Sequence, residues 1–333
     1  MKKGFSVVVC SYNPDHIILE RLVTAISKLV LPVNVPVEFI FIDNNSSTPL
    51  SSHPVLASFL AKEANSKCII EEQPGLTEAR IRGFREAAYE WIVFFDDDNE
   101  PEANYLISLE TAITEHPQVY CWGPAEIKVE FLNADKNAWV QQKKIYFQER
   151  NWGKTSFGIA PEWQEYFPYG TGLVVHQSVL EEYVKRIESR QYSLSDRKGK
   201  SLSSGGDLQI VLTATDMQLP VGTIAGLKVN HLIVDKKATV SYLERQVYGT
   251  SSSYVAAHKQ VNKTIGIDDH LATNKEIFLK VVVLLRIHLF RQSLNDFRLT
   301  LAEFFGGVNA RFVYLNVEKK PFFLRAYERI INA

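Results

Sequence analysis

The sequence is poor in the features that mark several large classes of protein. It has three cysteines in 333 residues, Cys10, Cys68 and Cys121, and no CxxC pair. Neither a disulfide framework nor a cysteine zinc site is therefore indicated. No uncharged apolar run reaches the roughly 18 residues of a membrane-spanning helix, because Lys280 and Arg286 interrupt the best candidate. We therefore expect a cytoplasmic chain.

Net charge is also nearly absent, at -1 from 37 basic and 38 acidic side chains. Nucleic acid is not expected as a partner, because phosphate backbones select for a basic excess. The average hides an asymmetry, since residues 236–333 hold 15 Lys and Arg against 8 Asp and Glu, which leaves residues 1–235 acidic. This split suggests two segments with different roles, the basic one facing something anionic, unless both charge sets are solvated surface.

Three motifs of nucleotide and acyl chemistry are missing. There is no GxGxxG after the first apolar run, no GxxxxGK[ST], and no GxSxG. The dinucleotide fingerprint, the phosphate-cradling loop of NTPases and the serine elbow of α/β-hydrolases are thereby excluded.

The first 125 residues alternate short apolar runs, rich in β-branched and aromatic residues, with amphipathic helical patterns. This alternation predicts βαβ units in a doubly wound, mostly parallel α/β sheet. Ligands of such sheets bind beyond the carboxyl ends of the strands. The predicted strands are residues 5–10, 37–42, 68–71 and 91–95, and the predicted helices are residues 15–28 and 76–89.

The rest of the chain is less clearly patterned. We predict substrate-facing loops over residues 125–206 with one helix at 178–189. Asp207 then opens a helix over residues 208–218, with Ser203 or Ser204 available in its first turn. From about residue 236 the pattern is helical, basic and aromatic.

Three consecutive carboxylates follow the predicted strand at residues 91–95. Because side chains alternate along an extended segment, Asp96 and Asp98 can share one hard cation. A magnesium or manganese ion bound by one or two carboxylates completes its shell with water and substrate phosphates, which suggests a diphosphate site. An EF-hand is excluded, since Pro101 and Ile107 stand where that loop needs Gly and Glu. The alternative is an acidic turn that caps the next helix.

Asp43 follows a neighbouring predicted strand. Its carboxylate could accept hydrogen bonds from a base or a ribose of a nucleotide. Alternatively, Asp43 forms an Asx-turn with Asn44 and Asn45.

Together these segments resemble the ordered motifs of family 2 glycosyltransferases of the GT-A fold. The motifs are SVVV at 6–9, SYN at 11–13, FIDNNS at 41–46, PGL at 74–76 with AR at 79–80, and FFDDD at 94–98. The resemblance implies a metal-dependent, inverting transferase of polysaccharide biosynthesis that moves a sugar from a nucleotide-diphosphate donor, with UDP as a guess, to a glycan or lipid-linked acceptor. It also implies a GT-A catalytic domain at 1–235, with a donor half at about 1–125 and an acceptor half at about 126–235. Residues 236–333 would form a helical extension.

The resemblance also implies site residues by position. Those of the donor site are Ser11, Tyr12, Asn13, Asp43, Gly75, Arg80, Asp96 and Asp97. The implied ligands for Mn²⁺ or Mg²⁺ are Asp98, Asp96 and His231, and the implied loop at the transferred sugar is Gly170, Thr171 and Gly172. Asp207 would be the general base that takes the acceptor proton.

Two of these assignments have structural alternatives. Gly206 stands where the family usually has Glu beside the base, and a carboxylate such as Asp207 at a helix start is also an ordinary cap. His231 follows an apolar run, where a histidine is more often structural than a ligand.

The basic tail leaves its own alternatives open. Residues 277–290 are apolar, with Lys280, Arg286 and Arg291 in or beside them. Such a helix can lie at the inner face of an anionic membrane, or it can pack on the catalytic domain or on a second subunit as a homodimer. For the whole chain, the alternative functions are a nucleotidyltransferase or pyrophosphorylase and a non-catalytic nucleotide-sugar binding module.

Overall fold

β-Branched and aromatic residues fill the amino-terminal strands, where they favour an extended backbone and pack between helices. The computed structural model describes residues 2–133, 137–193, 205–262, 266–288 and 293–332, so Ser203, Ser204 and Arg291 lie outside the described residues. The first elements are β1 (Lys2–Ser11), α1 (His16–Ser27), β2 (Val37–Asp43), α2 (Pro54–Lys62), β3 (Ser66–Ile70), α3 (Leu76–Glu86) and β4 (Tyr89–Asp96).

The middle of the chain completes the sheet. Its elements are β5 (Asn99–Pro101), α4 (Tyr105–Glu115), β6 (Cys121–Phe131), α5 (Ala138–Gln141), a 3-10 turn (Lys144–Phe147), β7 (Arg150–Asn151), β8 (Ser156–Gly158), β9 (Leu173–His176), α6 (Gln177–Glu188), α7 (Gly206–Asp216) and β10 (Val221–Ile233). Four helices follow, α8 (Val240–Val261), α9 (Asn274–His288), α10 (Leu294–Tyr314) and α11 (Phe322–Asn332).

The sheet order is β3-β2-β1-β4-β9-β6-β10-β5, with β7 on β6 and β8 on β10. β1 pairs in parallel with both β2 and β4, so that Ser11 lies opposite Asp43, and Cys10 lies opposite Asp96. The carboxyl ends of these strands are therefore level, and the polar segments that follow them meet at one edge. The predicted doubly wound, mostly parallel α/β sheet is confirmed.

The region predicted as loops with a single helix also contains α5, β7, β8 and β9, which contradicts that prediction, and β9 is the longest of these strands. It is inserted antiparallel between β4 and β6. Four residues are too few to show a strand period in sequence, and the pairing comes from partners far along the chain. Helices α2 and α4 were not singled out either.

Alternating side chains of the central strand divide the core into two layers. Val7 and Val9 belong to the cluster that includes α1 and α4 residues, whereas Val8 and Cys10 belong to the cluster with α3, α6 and α7 residues. The period of two along β1 thus gives the sheet a buried surface on both faces.

The carboxy-terminal helices share a third core with the far end of the sheet. Val129 of β6 and Ile233 of β10 cluster there with side chains of α8, α10 and α11. Phe305 and Tyr327 stack at 4.3 Å between ring centroids. In the part of the chain that the structure describes, no helix is both long and apolar enough to cross a bilayer.

Gly306 and Gly307 are neighbours in α10, but only Gly306 packs closely against α8. A Cβ at Gly306 would lie 2.6 Å from Ser251 Cβ and 2.7 Å from the Tyr248 carbonyl oxygen, whereas a Cβ at Gly307 would meet nothing within 4 Å. We expect Gly306→Ala to lower the free energy of unfolding by about 1–3 kcal/mol, because the helices must separate. Gly307→Ala should raise it by up to about 1 kcal/mol, because alanine favours the helix. Urea unfolding measures both, and equal stability of the two variants would contradict this packing.

Candidate functional site

Asp98 is the most buried carboxylate of the acidic segment after β4, with 4% of its surface exposed. Its Oδ2 lies 2.5 Å from the Lys237 Nζ and 3.5 Å from the His231 Nε2. Burial alone would raise the pKa of Asp98, but Lys237 and His231 hold that pKa well below its usual range. Asp98 is therefore an anion beside two nitrogen groups that come from β10 and the segment after it.

His231 is oriented as a metal-ligating imidazole would be. Its Nδ1 donates to the Phe147 carbonyl oxygen at 2.8 Å, because a carbonyl can only accept. Nδ1 thus carries the proton, and Nε2 presents its lone pair towards Asp98 when the ring is neutral. Strand register has put the ring there, since β10 pairs with β5 and His231 lies opposite Asn99.

The donor set fits a divalent cation held by few protein atoms. One carboxylate oxygen of Asp98 and one imidazole nitrogen of His231 face each other, and such a mixed set suits Mn²⁺ better than Mg²⁺. Within the described ranges there is no group of three or more His, Cys, Asp or Glu that could hold a metal. An ion here would depend on substrate phosphates and water for the rest of its shell, which is the usual arrangement at diphosphate sites.

Asp96 and Asp97 have different partners from Asp98. Asp96 Oδ1 lies 3.4 Å from the Arg80 Nη2, and the roles of Asp96 in the donor site and as a metal ligand stay predictions. Asp97 Oδ2 accepts from the Ser11 hydroxyl at 2.8 Å. Burial and the charge of Asp98 raise the pKa of Asp97 to about 6.

Asn99 is a site residue that the sequence analysis missed. It is fully buried, and its Oδ1 accepts from the Asp96 N–H at 3.2 Å and from the Gly172 N–H at 3.3 Å. Its Nδ2 donates to Asp98 Oδ1 at 2.9 Å. One amide thus connects the acidic segment to the loop of small residues before β9. Its position directly after the three carboxylates was the only available signal.

At Gly170 the predicted base, Asp207, lies close to Arg80, which contacts Asp96 of the acidic segment. A Cβ there would lie 2.6 Å from Asp207 Oδ2 and 3.2 Å from Arg80 Nη2. Asp207 stands in the first turn of α7, and its Oδ1 accepts from the Leu208 N–H at 2.9 Å. A residue of the second half of the chain is therefore placed beside the Arg80–Asp96 pair.

Both oxygens of Asp43 accept from backbone N–H groups, three and seven residues further along the chain, which is not the two-residue Asx-turn expected as the alternative to a nucleotide contact. Its Oδ1 accepts from the Ser46 N–H at 2.9 Å, and its Oδ2 accepts from the Leu50 N–H at 2.8 Å. A nucleoside contact by Asp43 stays a prediction. Asn44, next to it, accepts from the Gly75 N–H at 2.8 Å and donates to the Gln73 carbonyl oxygen at 2.7 Å, so it positions the loop before α3.

The segment after β1 is anchored to the same turn. Asn13, at φ 46, accepts at its Oδ1 from the Ser47 N–H at 2.9 Å. Tyr12 is 61% exposed beside it. Thr171, by contrast, is buried, and its N–H faces Gln148 Oε1 at 3.4 Å. The predicted residues thus line one edge of the sheet, with Tyr12 open to solvent.

Comparison with known proteins places this arrangement in context. The model of the family Glycosyl transferase family 2 matches residues 6–184. A search of curated protein sequences finds no match.

Two solved structures are similar to this chain at low sequence identity. GalNAc-T7 in complex with UDP, GalNAc and Mn²⁺ is similar with a TM-score of 0.50 and 16% identity, over 80% of this chain and 52% of that chain. S. aureus TarS 1-349 has a TM-score of 0.47 and 15% identity, over 94% of this chain and 90% of that one.

The contact between Lys237 and Asp98 predicts competition with a metal ion. Lys237→Met should destabilise the protein by about 3–5 kcal/mol, because a buried carboxylate loses its cation. Mn²⁺ should then raise the melting temperature of this variant more than that of the unaltered protein. Differential scanning fluorimetry with and without Mn²⁺ measures both effects. Lys236→Met is the matched control, since Lys236 is exposed. An identical Mn²⁺ response in all three proteins would refute the competition.

Proposed function

The chain belongs to glycosyl transferase family 2, and from that membership we propose that it transfers a sugar, with inversion, from a nucleotide-diphosphate donor to a hydroxyl of a glycan or lipid-linked acceptor. The observation that carries the proposal is the approach of Asp207 and Arg80 to one point at Gly170. Arg80 contacts Asp96 in turn. The proposed base, Asp207, is thus adjacent to the proposed donor site at Arg80 and Asp96.

In this proposal the donor lies along the carboxyl ends of β1, β2 and β4. The residues that would contact it are Ser11, Tyr12, Asn13, Asp43, Gly75, Arg80, Asp96 and Asp97. Arg80 is 4% exposed, and its guanidinium would orient a phosphate or sugar oxygen near Asp96. UDP is the nucleotide bound to GalNAc-T7, and we propose UDP for this chain as well.

Positively charged groups bound beside the Asp98 carboxylate would stabilise the leaving group. Asp98 and His231, with Asp96 as the third predicted ligand, would hold Mn²⁺ or Mg²⁺, which supplies a Lewis acid for the charge that develops on the departing diphosphate. Lys237 contacts the same carboxylate oxygen, so the metal would displace its ammonium from Asp98, and the displaced ammonium would add positive charge near the phosphates. Asn99 keeps this segment in register with Gly172.

Asp207 would remove the proton from the acceptor hydroxyl. The missing side chain at Gly170 leaves room for its Oδ2, and its other oxygen is oriented by the Leu208 N–H. Gly206 supplies no neighbouring carboxylate. Asp207 would therefore act alone, with the Gly170, Thr171 and Gly172 loop beside the transferred sugar.

The alternative functions have less support. A nucleotidyltransferase or pyrophosphorylase would need a glycine-rich, basic loop after the first strand, and SYNPD stands there. A non-catalytic binding module would need no base next to its donor site, so the position of Asp207 favours the transferase.

The tail also presents a face that suits an anionic membrane. Exposed apolar side chains of α9 and α11 gather there, with ring centroids of Phe278 and Phe323 at 5.9 Å, and the helices also carry Lys280, Arg325 and Arg329. Exposed Phe with basic residues is the pattern of an interfacial helix. We propose peripheral contact of this face with anionic lipid, with a homodimer through the same helices as the alternative.

Asp207→Asn tests the transferase and its base. Transfer should fall by about 10²–10⁴-fold, because the amide cannot accept the proton. UDP with Mn²⁺ should still raise the melting temperature, since ligand binding adds RT ln(1 + [L]/Kd) to the stability. Product release from a panel of nucleotide sugars, measured beside thermal shift, separates the two. Undiminished transfer would disprove the role of Asp207, and no shift of the parent protein with any nucleotide would disprove the donor site.

The membrane contact is tested on liposomes. Phe322→Asp, at a side chain 60% exposed on α11, should reduce co-sedimentation with vesicles that contain anionic lipid by 10-fold or so, since a charge must leave water. Val33→Asp is the control, because Val33 is 81% exposed in the loop before β2. Equal binding by both variants would contradict the contact. A concentration-dependent dimer in analytical ultracentrifugation that Phe322→Asp abolishes would favour the homodimer instead.

A further inference from the structure

A cleft opens beyond Asp207, between the segment of residues 145–169 and helix α8. Its volume is about 370 Å³, within the size range of small-molecule sites. We infer that this cleft binds an uncharged oligosaccharide acceptor, with a sugar ring stacked on its aromatic wall. The inference rests on the proposed function and names the acceptor class. The lining of the cleft includes aromatic residues of the 145–169 segment, residues of α8, and the acidic side chains of Asp207 and Glu303.

One wall consists of two stacked aromatic rings, and a buried guanidinium group packs against one of them. Trp163 and Tyr169 are nearly parallel, at 17°, with ring centroids 6.4 Å apart. The Arg150 guanidinium lies 3.5 Å from the centre of the Tyr169 ring and 4.1 Å from that of Trp152. Arg150 is 5% exposed and donates to the Phe167 carbonyl oxygen at 3.1 Å. The stack is thus held from behind, and the exposed Trp163 ring is preorganised.

The opposite wall is one face of α8. Tyr242, Gln246, Thr250 and Tyr254 recur every four residues, which places them in a row along the helix. Gln246 Nε2 donates to the Tyr146 carbonyl oxygen at 2.8 Å, so the helix is joined to the segment across the cleft. An aromatic platform opposite a row of hydroxyl and amide groups matches a sugar, which has apolar C–H faces and a polar rim.

Charge argues against an anionic acceptor. Asp207 and Glu303 are acidic, and no Lys or Arg lines the cleft among the described residues. Two basic residues of the neighbouring elements are paired: Arg298 Nη2 lies 2.6 Å from Glu244 Oε2, and Lys143 Nζ lies 2.6 Å from Asp296 Oδ1. The charges of these two basic side chains are therefore balanced outside the cleft. A phosphate or uronate would meet two carboxylates there, which costs free energy without compensation.

A glycan array tests the inference on the full-length protein. It carries uncharged hexose and N-acetylhexosamine oligosaccharides beside uronate- and phosphate-bearing ones, and it is probed with UDP and Mn²⁺ present. We expect binding to uncharged oligosaccharides, with an affinity that changes less than 2-fold between 50 and 500 mM salt. Trp163→Ala and Tyr254→Ala should each weaken it 10-fold or more, whereas Trp163→Phe should retain most of it. Val33→Ala, at an exposed side chain outside the cleft, is the control for surface changes.

Several outcomes would overturn the inference. Binding only to anionic glycans, with a steep salt dependence, would exclude an uncharged acceptor. Binding of Trp163→Ala and Tyr254→Ala equal to the parent would place the acceptor elsewhere, as would binding of no glycan by a parent protein that hydrolyses its donor. Failure of the proposed function is distinct, because that failure appears as absence of any nucleotide-dependent thermal shift, which the array does not measure.

Discussion

A buried carboxylate persists as an anion only beside positive charge, and Asp98 is such a carboxylate. Its partners come from a distant part of the chain: His231 at the end of β10, and Lys237 shortly after it. Asn99 joins Asp98 to the loop before β9 through the Gly172 N–H. The positive charge that Asp98 requires is therefore supplied where the acidic segment after β4, the loop before β9 and strand β10 meet.

Close approach is the second constraint on the site. At Gly170 and Gly172 the loop before β9 runs so near its neighbours that a Cβ would collide with Asp207 or with the Tyr105 hydroxyl. Gly172 also needs a positive φ of 66°, which glycine adopts without strain. Because the backbone itself fills this space, Asp207 and Arg80 can approach one another from opposite halves of the chain. Small residues here therefore allow the close packing on which the candidate site depends.

Features that depend on residues close together in sequence could be predicted, whereas features that depend on residues far apart in sequence could not. Strands β1, β2 and β4 and helices α1 and α3 have local periodicity and were predicted to within a few residues. β9 is four residues long and depends on pairing with β4 and β6, which no local pattern encodes. Asp43 was correctly placed at a strand end, yet the hydrogen bonds from Ser46 and Leu50 that occupy its oxygens were not predicted, because the alternative from sequence was an Asx-turn with Asn44 and Asn45. The roles assigned to the site residues stay predictions.

The sequence by itself determined the family, the doubly wound sheet and the position of the acidic segment at the carboxyl end of a strand. Motif order and hydrophobic period carry this information because they are local properties of a chain. Tertiary structure alone decided that Lys237 meets Asp98, that Asn99 holds Gly172, and that α8 faces Trp163 and Tyr169 across a cleft. The basic excess of the tail is evident from the sequence. That Lys237 pairs with Asp98 and Arg298 pairs with Glu244 is evident only from the structure. Contacts between residues more than 50 positions apart depend on how the elements pack, and that packing is a property of the whole fold.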